Sequence, residues 1–151
     1  MTRVVASSAA PYGGEALIAD KSAWAHAADP RVNNSFTEAL RNGQIATSPV
    51  VKLELLYSAR DGESFDRLAA DLAELRDIPI TRSVTNTAER ALRALAHRRP
   101  AQHRSVSLPD VLIAAAAEDA AVGVLHYDEH FDTLATVLDF ESRWIAPRGS
   151  L

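Results

Sequence analysis

The chain contains no cysteine, which removes disulfides, thiolate nucleophiles and thiolate metal sites together. Any metal it carries must rest on oxygen or imidazole. Nowhere does it approach the roughly 18 consecutive apolar residues of a membrane-spanning helix, and its start lacks a charged segment followed by a long apolar one. No membrane association is read, and a cytoplasmic location is expected. Positive charge is not in excess: the formal net charge is −4, which argues against gripping nucleic acid through a broad basic surface. It does not exclude nucleic acid as a substrate, because an acidic cluster carrying divalent cations presents a less negative face to phosphate. There is no G-x-S-x-G elbow, Walker loop or G-x-G-x-x-G, so serine hydrolase, P-loop and dinucleotide chemistry have no support.

What is present is one domain's worth of chain: 151 residues, 47% apolar and 24% charged, the balance of a soluble globular protein. Residues 1–15 are small, polar and marked by Gly and Pro, and are expected to form a loosely ordered extension; the domain is placed at 16–147. The apolar run Leu17-Ile18-Ala19 reads as a buried parallel strand that stops at Asp20. A helix is expected over 34–41, a strand at 45–47, and a helix from Ser48-Pro49 to about Ser58, broken by Asp61-Gly62. A helix over about 65–75, an edge strand at 78–80 around Pro79 and a helix over 83–97 follow. Ser107 and Pro109 open an alanine-rich helix that Gly123 is expected to close. A strand at 124–126, a short helix at 129–136 and a last strand at 143–145 complete the order. Strands alternating with helices predict an α/β sandwich with a mainly parallel sheet.

The chemistry lies in acids. Asp20 and Asp128 each fall at or just beyond the end of an apolar strand, where ligands bind in open α/β sheets. Glu54 shares a helical face with Val50, Leu53 and Tyr57, a face expected to be buried. A carboxylate aimed inward is costly unless a cation or hydrogen-bond donors meet it. The alternative is an internal ion pair with an arginine. Asp110 lies in the first turn of the alanine-rich helix, where the macrodipole alone would favour an acid. Together the four are an oxygen-only set suited to Mg²⁺ or Mn²⁺. Such a site activates water against a phosphodiester and offsets charge on the leaving oxygen.

The pieces carrying these acids, LIADKS at 17–22, TSPVVKLEL at 47–55, SLPDVLIAA at 107–115 and HYDEHF at 126–131, resemble the four acidic motifs of PIN-domain ribonucleases, and most closely those of the VapC toxins of bacterial toxin–antitoxin pairs. The resemblance spans about 16–145 and implies a PIN-like three-layer α/β/α sandwich. It also implies Mg²⁺- or Mn²⁺-dependent endonucleolytic cleavage of RNA such as tRNA or ribosomal RNA, a homodimer, and a cognate VapB antitoxin. By position, Asp20, Glu54, Asp110 and Asp128 match the family's metal-binding acids. Ser22 matches the small hydroxyl residue that supports the first of them. Two positions depart: Lys21 stands where a small polar residue is frequent, and His130 stands where a further acid is common. Asp132 is the candidate substitute for that acid, against the favoured alternative of an ordinary surface residue on the following helix.

Arg98, Arg99 and Arg104 ahead of the Asp110 helix, and Arg60 past the Glu54 helix, are candidates for phosphate contact, or else ordinary partners of helix ends and acids. His126 and His130 are four apart, but a strand would separate them by about 13 Å at about 3.3 Å per residue, which disfavours zinc. Tyr127 and Trp144 are candidates for stacking on bases, with packing favoured for Trp144. Two other classes of function compete. One is a PIN-like module that binds RNA or protein without cutting, which His130 favours; the other is a phosphoryl-transfer protein with Asp20 as acceptor.

Overall fold

The computed structural model describes residues 11–151. Five parallel strands form one sheet in the order β3-β2-β1-β4-β5: β1 Leu17–Ala19, β2 Ile45–Thr47, β3 Arg76–Asp77, β4 Gly123–His126 and β5 Ser142–Trp144. Between them run α1 Lys21–His26, α2 Asn33–Arg41, α3 Pro49–Tyr57, α4 Gly62–Leu72, α5 Arg82–Arg98, α6 Leu108–Ala120 and α7 His130–Leu134, with a short 3₁₀ turn at Gln102–Arg104.

The three central strands are apolar on both faces and accordingly buried on both. Alternation of side chains along them divides the core in two. Ile18, Ala46 and Val124 face one layer, where they meet Val51 of α3, Ala91 and Leu95 of α5, Ala114 of α6 and Phe131 of α7. Leu17, Ala19, Ile45 and Leu125 face the other, against Ala23 of α1 and Phe36 and Ala39 of α2. This is a three-layer α/β/α sandwich.

β1 is the hinge of the topology. It pairs with β2 on one side and β4 on the other, in register Leu17↔Ile45 and Leu17↔Gly123. The chain leaves β1 in one direction and returns to its opposite edge only after α6. That reversal opens a crevice beyond the carboxyl ends of β1 and β4.

Several local expectations are corrected. α1 was not expected; it begins directly after β1 with Asp20 as its cap. The edge strand lies at 76–77 rather than 78–80: Ile78 N–H still reaches Thr47 O at 2.8 Å, but Pro79 has no N–H with which to extend the ladder. Asp61 opens α4 by accepting from Ser64 N–H, so that helix starts and ends three residues earlier than its apolar pattern suggested. Gly123 does not close α6. Ala121 does, in the left-handed region at φ 56°, and Gly123 starts β4 pressed against Leu17 and Glu141. Of the segment expected to be a loose extension, residues 1–10 lie outside those described. Tyr12 is buried, and Gln44 Nε2 donates to the carbonyls of Gly13 and Glu15.

Candidate active site

Asp20 follows β1 immediately and turns into α1. Its Oδ2 accepts from Ser22 N–H (3.0 Å) and Ser22 Oγ (2.7 Å), the bonds of a helix cap. Ser22 Oγ in turn accepts from Tyr127 N–H at 2.8 Å, so one hydroxyl ties the end of β1 to the end of β4. Asp110 sits in the first turn of α6, which Ser107 caps by accepting from Asp110 N–H at 3.3 Å. Both Asp20 and Asp110 are buried, at 1% and 6% exposure.

Asp128 lies beyond β4 in the turn into α7, and its Oδ1 accepts from His130 N–H at 2.9 Å. The His130 ring then reaches back to the acids, placing Nδ1 2.9 Å from Asp110 Oδ2 and 3.7 Å from Asp128 Oδ1. Glu54 enters from α3; Lys21 Nζ stands 3.5 Å from its Oε2. The ion pair considered for Glu54 therefore exists, with the lysine of the first motif in place of an arginine.

Burial is the largest influence on Asp20 and raises its pKa; the bonds from Ser22 oppose it and the charge of Asp110 reinforces it. Glu54 is raised for the same first reason, lowered by Lys21, and raised again by Asp20 and Asp110. The charge of Asp110 reaches both Asp20 and Glu54, and that of Asp20 reaches Glu54; donor atoms of Asp110, Asp128 and His130 lie within 4.8 Å of one another, a group that Asp20 and Glu54 do not join among the described residues. Asp20 Oδ1 and Glu54 Oε1 are buried without any hydrogen-bond partner. A buried anionic oxygen with no donor is costly, and a cation is the group that would satisfy both. The residues present thus fit a divalent ion.

The face of α3 expected to be buried is corrected. Leu53 and Tyr57 are 67% and 92% exposed, and Val51 is the residue that α3 buries. α3 is apolar on more than one side, so its contact with the core runs through Val51, joined by half-buried Val50 and Leu55, and leaves Leu53 and Tyr57 as an apolar stripe in solvent. An open groove of about 460 Å³ runs beside it, from Trp24 past Lys21, Ser22 and Glu54 to Tyr57.

Other candidates lie elsewhere. Asp132 spends its carboxylate on β5, accepting from Ser142 Oγ (2.7 Å) and Trp144 Nε1 (2.9 Å). This is a bracing role that differs from the supplementary acid expected of it. His126 is fully buried; its Nδ1 accepts from Asp128 N–H and its Nε2 meets Ser142 Oγ at 2.7 Å. Tyr127 and Trp144 pack edge to face at 5.4 Å. Arg60, Arg98, Arg99 and Arg104 are exposed and none bonds to the four acids among the described residues; Arg98 donates to Thr136 Oγ1. The sequence reading undervalued His130, whose contact with Asp110 joins positions far apart in the chain.

The PIN domain family model matches residues 17–137, which contain all four acids. Ribonuclease VapC18 of Mycobacterium tuberculosis is 42% identical over 87% of this chain and 96% of its own length. Ribonuclease VapC51 of the same organism is 35% identical over 81% of this chain and 87% of its own. Among solved structures, DNA-bound VapBC from Salmonella typhimurium matches with a TM-score of 0.65 at 14% identity, covering 88% of this chain and all of that one. VapBC-5 from Mycobacterium tuberculosis matches with a TM-score of 0.60 at 21% identity, covering 87% and 99%. These two likenesses bear on the fold. The chain belongs to the PIN-domain family, and within it to the VapC ribonucleases.

Proposed function

We propose that this protein is a Mg²⁺- or Mn²⁺-dependent endoribonuclease and the toxin of a toxin–antitoxin pair, with Asp20, Glu54, Asp110 and Asp128 as its catalytic and metal-binding acids. The observation that carries the reading is the pair of buried, unpartnered oxygens on Asp20 and Glu54 within a crevice shared with Asp110. A divalent cation held there supplies an activated water and neutralises charge on the leaving oxygen of a phosphodiester.

The chain's own residues do the positioning. Ser22 fixes Asp20 and anchors the backbone of Tyr127, which sets where Asp128 begins. His126 accepts from Asp128 N–H and holds that turn from beneath. Lys21 beside Glu54 moderates the negative field at the mouth, where the phosphate of RNA must approach. Exposed Tyr57 lines the groove, and exposed Leu53 stands one turn before it on α3; the pair suits an apolar protein partner. They support a VapB-type antitoxin and a second copy of the chain as partners.

Incubation of the protein with total RNA, with Mg²⁺ or Mn²⁺ and then with EDTA, tests the reading. Fragments should appear with metal, vanish with EDTA, and fall by at least about a hundredfold in Asp110→Asn, since the acids act as a unit. Fragments that persist in EDTA would overturn it.

A further inference from the structure

We propose that His130 supplies a nitrogen donor, beside oxygens of Asp110 and Asp128, to the divalent ion of this site, and that the site therefore favours manganese over magnesium. The inference rests on the reading above that a cation binds at the acids. It goes further in naming a ligand outside the four acids and a preference among metals.

The geometry is that of a ligand shell. One donor atom from each of Asp110, Asp128 and His130 lies within 4.8 Å of the others. An ion about 2.1 Å from each donor sets neighbouring donors about 3.0 Å apart and opposite ones about 4.2 Å apart. The two distances from His130 Nδ1, 2.9 Å to Asp110 Oδ2 and 3.7 Å to Asp128 Oδ1, fall at and between these values. Asp20 Oδ1, on a side chain 1% exposed, has no partner in the protein. It is an independent sign that something positive belongs in the crevice.

His126 offers an internal contrast. Its Nδ1 takes the N–H of Asp128 and its Nε2 meets Ser142, so neither nitrogen is available. His130 differs in what its nitrogen faces: Nδ1 lies 2.9 Å from Asp110 Oδ2, among the carboxylates that would hold an ion, and a ring carrying its hydrogen on Nε2 would turn the Nδ1 lone pair to the metal. Magnesium keeps to hard oxygen ligands and water, whereas manganese, though the weakest binder of the first-row divalent series, belongs to the ions whose affinity extends to nitrogen donors, so an imidazole in the shell shifts the balance toward manganese.

The test uses the full chain without a histidine tag, loaded with Mn²⁺ and read by electron spin echo envelope modulation. Directly coordinated imidazole should give ¹⁴N modulation that disappears in His130→Asp, while that variant still binds Mn²⁺. The ratio of magnesium to manganese Kd should drop about tenfold or more in the variant, as expected when nitrogen is exchanged for oxygen. Manganese that binds the wild type and is lost in Asp110→Asn, but shows no ¹⁴N modulation, would overturn the inference and leave the ribonuclease reading standing. A wild type that leaves the aqueous Mn²⁺ signal unchanged would overturn both.

Discussion

His126 shows how one buried group links the site to stability. Burial holds its imidazole down at about 4, against the pull of Asp132 and Asp128 toward protonation, whereas its ordinary value is 6.5. Between those values the unfolded chain binds a proton that the folded chain refuses. The stabilisation is therefore complete above pH 6.5 and is lost as pH falls toward 4, at about 1.4 kcal/mol per unit and about 3 kcal/mol at most. Asp20 and Glu54 act in the opposite sense. Their raised pKa values make the folded chain the better proton binder, so their contribution is present in acid and lost as pH rises. Urea denaturation of the wild type and His126→Asn across pH 4–7 separates the two, since the acids are common to both. The gap between the curves should narrow by up to about 3 kcal/mol toward pH 4, and parallel curves would show that His126 is not held neutral. At this scale the four acids were legible because a carboxylate at a strand end or in an apolar helix is chemically expensive. His130 was not, because its worth depends on Asp110, which only the fold brings to it.

The elements show the same division between local signal and tertiary demand. Ser48 before Pro49 and Ser107 before Pro109 were readable as helix starts, since a hydroxyl cap and a first-turn proline act within a few residues. α1 escaped notice because its cap, Asp20, carried a functional reading and its six residues hold too little periodicity to register. The exposed stripe of α3 was hidden for another reason: hydrophobicity cannot say which of two apolar faces meets the core. Gly123 looked like a helix stop from its place in the chain, yet its absent side chain serves β4. A Cβ there would lie 2.6 Å from Leu17 Cδ2 and 3.0 Å from the carbonyl oxygen of Glu141. The leucine tip can move, but the backbone of the adjoining segment cannot without disturbing the bond from Val124 N–H to that same oxygen. Gly123→Ala should cost about 1–3 kcal/mol, read as a lower urea midpoint at unchanged slope. A variant as stable as wild type would mean that β4 and its neighbours shift freely at that point.

Across the whole molecule, a sheet whose order reverses beside β1 gathers acids from opposite ends of the chain into one crevice, and their repulsion is a standing cost to the fold. Burial is the larger cost at Asp20, and the charge of Asp110 adds a smaller one. On the proposed reading, a cation held there would return stability by mass action, about 2.7 kcal/mol at a hundred times its Kd. Asp20→Asn separates the two effects, since asparagine keeps an oxygen to accept from Ser22 and so preserves the cap of α1. In EDTA the variant should be the more stable protein by about 1 kcal/mol, a rise of about 2–4 °C for a chain of this size. In saturating Mn²⁺ the order should invert, because the wild type gains the binding energy and the variant loses most of it. Calorimetric scans in the two conditions check both halves. Wild type and variant that shift equally with Mn²⁺ would show that Asp20 does not belong to the cation's shell, and a variant less stable in EDTA would show that its charge is compensated within the protein.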